Sequence, residues 1–356
     1  AILHYLSETQ NDKLGHITAL SRIEEDKYVW LDQFTLRNLE LIFSPHQNAT
    51  TLSDILDQTY TAMGGRMMKR WIVLPLKHTQ HIQARLDAVA FLKAKEQITN
   101  ELADHLKDIG DLERLISKVA VGKVNPKEVM QLKRTICQID PMKALLNNSE
   151  SPLIEQIAGQ LNPCHKLIEL VETTLSEDPA VQIGKGRVIA DGVNDELDDL
   201  RKILHSGKEY LEELQDRESD KTGIPSLKIS FNNVFGYYLE VRNTHKDKVP
   251  AEWIRKQTLT NAERYITEEL KEYETKILGA EEKIHTLETQ LYQQLIVSLE
   301  AFIQPIQQNA MLIAQLDCLT AFSEVAREHN YVQPVVNETF TIEIKEGRHP
   351  VIEQKL

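Results

Sequence analysis

The 356 residues predict a mainly α fold: a helical core, and a long antiparallel helix pair carrying a small β-rich module at its tip. Three observations predict it. In residues 193–214, Val193, Leu197, Leu200, Leu204, Gly207, Leu211 and Leu214 recur at alternating steps of four and three, a heptad seam. The same period returns at Ile266, Leu270, Tyr273, Ile277, Ala280, Ile284, Leu287 and Leu291. Between them the period switches to two, with Leu227, Ile229 and Phe231, then Tyr237, Leu239 and Val241. Two seams of one period around a non-helical segment describe two helices zipped along one face. At ~1.5 Å per residue, an arm of about 25–30 residues projects roughly 40 Å.

The elements before the pair read as short helices. Spacing at Ile2, Leu3 and Leu6 is helical, and Ile17–Ile23 and Tyr28–Leu31 look like short strands. Asp32 caps a helix over Gln33–Ile42, and Thr51 starts another. Residues 61–75 hold Gly64, Gly65 and Arg66, either a phosphate loop or a close helix crossing. The pattern GxxxxGK[ST] is absent, which favours the crossing. Helices follow over Thr79 to about Gln97, Gly110–Val121 and Asn125 to about Ile139, the last with Pro126 at its first position. Asp140-Pro141, Ser151-Pro152 and Asn162-Pro163 punctuate shorter helices up to Leu175, and Asp178–Ile189 reads as a loop. No βαβ alternation occurs.

The outgoing arm ends at Lys221-Thr222-Gly223-Ile224-Pro225, because Gly terminates helices and Pro cannot continue them. Asn232-Asn233 makes a turn, and Arg255–Leu259 supplies a third strand, since a lone hairpin is marginal in water. Thr260-Asn261-Ala262-Glu263 has the letters of a capping box, so the return helix is expected to start there. Pro305 breaks or kinks that helix, and Ala310–Glu328 is the last one. Tyr331–Ile344 turns strand-like, with His349-Pro350 as a turn beyond it.

Charge narrows the function. The chain carries 41 Lys and Arg against 54 Asp and Glu, a formal −13, so any polyanion site must be local. Residues 221–264 hold eight cations and four anions, +4 on a body left with −17, and read as the one basic part. Asn243, Thr244, Gln257, Thr258 and Asn261 lie among those cations, donors of the kind that bind phosphate oxygens without reading sequence. The candidate contacts are Arg242, Asn243, Lys246, Lys248, Arg255, Lys256, Asn261 and Arg264. Tyr237 and Tyr238 could stack on bases, but alternation gives at least one to sheet packing. A solvated basic loop is the bland alternative.

Other chemistry finds no support. Cys137, Cys164 and Cys318 are scattered and odd in number, which fits a reducing, cytoplasmic compartment; Cys164-His165 lacks two further metal ligands. No catalytic triad or isolated carboxylate pair stands out, so neither catalytic nor metal residues are assigned. No apolar run approaches the ~20 residues of a membrane span. The chain starts without Met and stops after a strand-like pattern, so both ends look cut from a longer protein.

Four stretches carry a resemblance: TAMGGRMMKRWIVLPL at 61–76, FNNVFGYYLEV at 231–241, RKQTLTNAERYITEELKEYE at 255–274 and EGRHPVIE at 346–353. In residues, order and spacing the chain resembles the MutS family of DNA mismatch-repair proteins over nearly its whole length. The resemblance implies that 1–25 end a connector domain and that 26–193 and 300–335 form the core. It makes 194–222 and 263–299 the lever, 223–262 a clamp on the DNA backbone, and 336–356 the start of an ATPase domain. It implies a bacterial parent that uses ATP and Mg, works as a homodimer on double-stranded DNA and engages downstream repair proteins. The segment itself would need no cofactor. The family reads mismatches with a Phe-x-Glu motif in an N-terminal domain; Phe322-Ser323-Glu324 has those letters but falls on the last core helix. The family's phosphate loop lies downstream, so this segment should neither read mismatches nor hydrolyse ATP. Two alternatives stay open: a paralogue that holds branched or recombining DNA, and a coiled-coil scaffold that binds protein.

Overall fold

The computed structural model describes residues 5, 8–9, 25–46, 49–232 and 234–354. The helical and strand readings over 1–9 and 17–23, and Asn233 of the expected turn, fall wholly or largely outside them. The chain divides into two compact units, Ala1–Glu172 with Leu295–Leu356, and Thr173–Gln294.

The first unit is helical. Its elements are α1 (Gln33–Asn38), α2 (Leu52–Leu56), α3 (Ala62–Val73), α4 (Thr79–Ala94), α5 (Glu96–Lys107), α6 (Leu112–Ala120), α7 (Pro126–Cys137), α8 (Ile139–Leu146), α9 (Pro152–Gln160) and α10 (His165–Thr174). Side-chain caps explain five of these ten starts. Asp32 accepts from Thr35 N at 2.7 Å, and Thr51 with Asp54, and Asn125 with Glu128, form reciprocal capping boxes. The expected helix to Gln97 is two helices, because the chain turns at Lys95 (φ −105, ψ 64) with no Gly or Pro to announce it. The short strand at Tyr28 is a single antiparallel bridge to Leu76.

The glycine pair resolves as a helix crossing. A Cβ on Gly64 would stand 2.1 Å from Asp317 Oδ2, so only Gly lets α3 approach the helix that carries Asp317. That helix, α13, spans Ile303–Glu328; the long return helix before it, α12, spans Glu268–Leu299. A 3₁₀ turn, Glu300–Phe302, separates them, and Pro305 sits in the first turn of α13. There its missing N–H would have had no intrahelical partner. Asp317 is fully buried and accepts from Tyr60 N (2.9 Å), Thr61 N (2.8 Å) and Thr61 Oγ1 (2.7 Å). Burial pushes its carboxyl above the usual carboxylate pKa, while these hydrogen bonds pull the other way. Phe322 stacks on Trp71 at 6.2 Å and Glu324 accepts from Tyr60 Oη at 2.9 Å, so the Phe-Ser-Glu letters are used for packing.

The expected strand over 331–344 does not form. Phe340 and Ile342 are exposed, and no strand pairs with the segment among the described residues. His349 is the N-cap of α14 (Pro350–Glu353), its Nδ1 accepting from Val351 N at 3.3 Å, rather than a turn after a strand.

The second unit holds α11 (Asp195–Thr222), the sheet and most of α12. Strands β1 (Lys228–Asn232), β2 (Gly236–Arg242), β3 (Ile254–Thr258) and β4 (Ala262–Ile266) form an antiparallel sheet in the order β1-β2-β4-β3. The fourth strand corrects the expected capping box. Thr260–Glu263 has the right letters, but Leu259 N closes a turn onto Ala262 O (2.8 Å) and Glu263 enters the ladder opposite Val241. The return helix starts after Thr267, whose Oγ1 accepts from Leu270 N at 3.1 Å.

The two long helices run antiparallel, as their side-chain pairs show: Arg201 with Glu288 (2.7 Å), Lys208 with Glu281 (3.3 Å), Tyr210 stacked on Tyr273 (3.7 Å) and Arg217 with Glu269 (2.6 Å). A Cβ on Gly207 would lie 2.8 Å from Ile277 Cγ1, so this seam position is kept small by the partner helix. Ile189 and Val188 join the pair: Arg201 donates to Ile189 O (2.8 Å), and Val188 N donates to the buried Glu288 (3.3 Å).

Candidate nucleic-acid interface

Alternation gives the sheet two faces. Leu239, Val241 and Tyr265 point inward with Ile229 and Trp253, and pack on Leu211, Leu214, Leu270 and Ile277. The neighbours Tyr238, Glu240, Arg242 and Arg264 share the opposite face. The two tyrosines therefore part company. Tyr237 packs on the inner cluster, and Tyr238 lies under the Arg264 guanidinium at 4.3 Å.

The eight candidate residues fall into three groups. Arg242, Lys246 and Lys256 are exposed, and their side chains have no hydrogen-bond or ion-pair partner among the described residues. Asn261 is exposed as well; its carbonyl takes Asn243 N at 3.1 Å and so places the amide side chain beside the end of β2. Three others are tethered but still face water: Asn243 Nδ2 donates to Thr260 O (3.0 Å), Lys248 Nζ to Gly223 O (2.9 Å), and Arg255 pairs with Glu263 (3.3 Å). Arg264 is built into the sheet. It stacks on Tyr238 and binds Glu240 (3.3 Å) and Gln257 (2.8 Å), with 18% of its side chain accessible.

The sheet also shows what the sequence hid. Lys228 on β1 is exposed and has no side-chain partner among the described residues. Glu263 has 12% of its side chain accessible; it accepts from Tyr265 Oη and pairs with Arg255. Those bonds hold its carboxyl below the usual range, and burial with the neighbouring Glu263 pushes the Tyr265 hydroxyl up to about 12. Recognising residues 262–266 as a strand would have placed Glu263 between Val241 and the strand that carries Arg255.

The sheet is not the only basic part. Residues 58–95 hold seven Lys and Arg against one acid, Asp87. Most of these cations are structural: Arg66 grips Asp111 through both Nη atoms (3.0 and 2.8 Å), Arg85 lies 3.5 Å over Trp71, Lys93 donates to Tyr331 O (2.8 Å), and Lys95 pairs with Glu150 (3.3 Å). Lys69, Arg70 and Lys77 stay open to water. Net charge by segment therefore does not by itself locate a polyanion site.

Among the described residues no group of three or more His, Cys, Asp or Glu could hold a metal ion, and no helix is long and apolar enough to cross a membrane. Cys137, Cys164 and Cys318 are free thiols.

A helical unit, a long helix pair and a basic four-stranded insertion between its arms define a class, and the sequence comparisons agree on it. The family model MutS domain III matches residues 34–323, and the chain belongs to that family. More particularly, it is 57% identical over all 356 residues to the DNA mismatch repair protein MutS of Flavobacterium johnsoniae, covering 41% of that protein. It is 56% identical to the protein of that name from Phocaeicola vulgatus and 54% to that from Bacteroides fragilis, covering all of this chain and 41% of each relative. The chain thus spans about two fifths of the curated relatives it matches. It carries no GxxxxGK[ST] motif.

Proposed function

We propose that this chain is the lever and clamp portion of a bacterial DNA mismatch-recognition protein. The clamp over 223–262, with its sheet running on to Ile266, grips the duplex backbone without reading its sequence. Arg242, Lys246 and Lys256 supply charge, Asn261 and Asn243 supply neutral donors, and Lys248 and Arg255 add charge from tethered positions. The helix pair, α11 and α12, carries motion between the sheet and an ATPase domain of the full-length parent. That parent binds ATP with Mg and acts as a homodimer that engages downstream repair proteins.

The observation that carries this reading is the set of unpaired, exposed cations on a small sheet fastened to two long helices. Side chain to backbone bonds make the fastening: Gln215 of α11 accepts from Ile229 N (2.8 Å) and Glu274 of α12 from Tyr237 N (3.2 Å). A lever requires sheet and helices to move as one piece, and these bonds support that reading. Each phosphate contact steepens the fall of log affinity with log salt by ~0.9. Arg255→Ala in the full-length protein should flatten that slope by about one unit and weaken all duplex sequences alike. An unchanged slope would remove Arg255 from the interface; unchanged slopes for Arg242→Ala and Lys256→Ala as well would end the proposal.

A further inference from the structure

Glu263 stands opposite Val241, on the inward side of the sheet, yet its carboxylate reaches a candidate phosphate-binding cation. It is the only acid on β4, and its oxygens are both engaged: one with the Arg255 guanidinium at 3.3 Å, the other with the Tyr265 hydroxyl. The 3₁₀ turn Asn243–Lys248, which carries Lys246, packs on β2 and β4. Arg255 itself is exposed, with 62% of its side chain accessible, so it has room to swing outward to a phosphate. To do so it must leave Glu263. A phosphate that meets Arg255 in place comes within a few ångströms of a carboxylate, and like charges at that range repel.

We infer that Glu263 is an internal competitor for Arg255, which keeps the sheet's hold on the DNA backbone weak and readily released. The inference rests on the reading of the sheet as a backbone-binding surface and adds its regulation. The carboxylate mimics the ligand: two oxygens, negative charge, the same guanidinium. Its cost to affinity is uniform over sequences, because it acts on a backbone contact. Its benefit is speed, since a fastened grip with a built-in rival ligand exchanges quickly and does not trap the protein on ordinary duplex.

Glu263→Gln tests it. Gln keeps the shape and can still accept from the Tyr265 hydroxyl, but it no longer holds Arg255 by charge. In the full-length protein on a fully paired duplex, followed by fluorescence anisotropy across a salt series, Glu263→Gln should bind roughly three- to tenfold tighter at low salt. Its salt slope should steepen by a fraction of the ~0.9 of one full contact. In an Arg255→Ala background the same change should have much less effect. A Glu263→Gln protein with an unaltered Tm and equal or weaker binding overturns the inference. If that variant melts early, Tyr265→Phe supplies the answer: it frees the second oxygen for Arg255 and should weaken binding, and equal or tighter binding overturns the inference. Arg255→Ala separates the two levels. Weaker binding by Arg255→Ala without tightening by Glu263→Gln sinks the competitor alone; no effect of Arg255→Ala sinks the contact with it.

Discussion

Residues 58–95 and 221–264 are both basic islands in an acidic chain, and they spend their cations differently. In the first, two of the three arginines are struts: Arg66 joins α3 to the start of α6, and Arg85 lies on Trp71. Burial lowers the Arg85 guanidinium to about 10, the mark of a cation used inside a fold. In the second, one arginine is a strut, Arg264, and the open candidate cations stand at the end of β2, on a 3₁₀ turn and at the bulge of β3, among exposed amides and hydroxyls. The lesson is that charge count finds islands, while the partners of each cation separate a brace from a binding surface.

Each island is anchored by a buried acid, and the largest expected effect lies there. Asp317 holds the N–H groups of Tyr60 and Thr61 at the head of the first island. Asp317→Ala leaves both without their acceptor and should destabilise the helical unit by about 3–5 kcal/mol in a denaturant titration, at 1–3 kcal/mol per orphaned buried group. The pH dependence has a definite sign. Because burial raises the Asp317 pKa, the folded state holds that proton where the unfolded chain has lost it. Its contribution is therefore greatest below the ordinary carboxylate range and declines as pH rises through the folded value. Asp317→Asn should remove that decline from a series of melts between acid and neutral pH.

The next effect tests the contrast directly. Reversing Arg242, Lys246 and Lys256 together to Glu should flatten the salt slope of duplex binding by up to about three units, ~0.9 for each lost contact. Gly207→Ala should act more mildly, because its new methyl meets Ile277 and the helices must part; a loss of about 1–2 kcal/mol in thermal unfolding is expected. The smallest effect is the most discriminating. Reversing Lys69, Arg70 and Lys77 to Glu should leave duplex affinity and slope almost unchanged. A slope lowered as much as by the sheet variant would make the two islands equivalent and break the comparison.

The helix pair was legible because heptad spacing is a property of sequence alone, and Gly207 kept its place in the seam. The fourth strand was not. Thr260 and Glu263 have the letters of a helix cap, and only the ladder partners Val241 and Arg242, about twenty residues earlier, decide for a strand. The turn at Lys95 carries no breaker residue, and Thr339–Ile344 alternates like a strand but finds no partner among the described residues. At the site, the sequence located the cations but could not sort them. Whether Arg264 is a strut depends on Glu240, which lies 24 positions away in the chain.

The strand order has a consequence for solubility. An antiparallel sheet with β1 and β3 at its margins offers two rows of unpaired amides on which further copies could add. Gln215 occupies the Ile229 amide on the first margin, and the second is broken by a bulge between Arg255 and Gln257, beside the exposed Lys256. Both margins are thus closed to fibril-like growth, and Arg255 and Lys256 guard the sheet against its own kind whether or not a duplex is present.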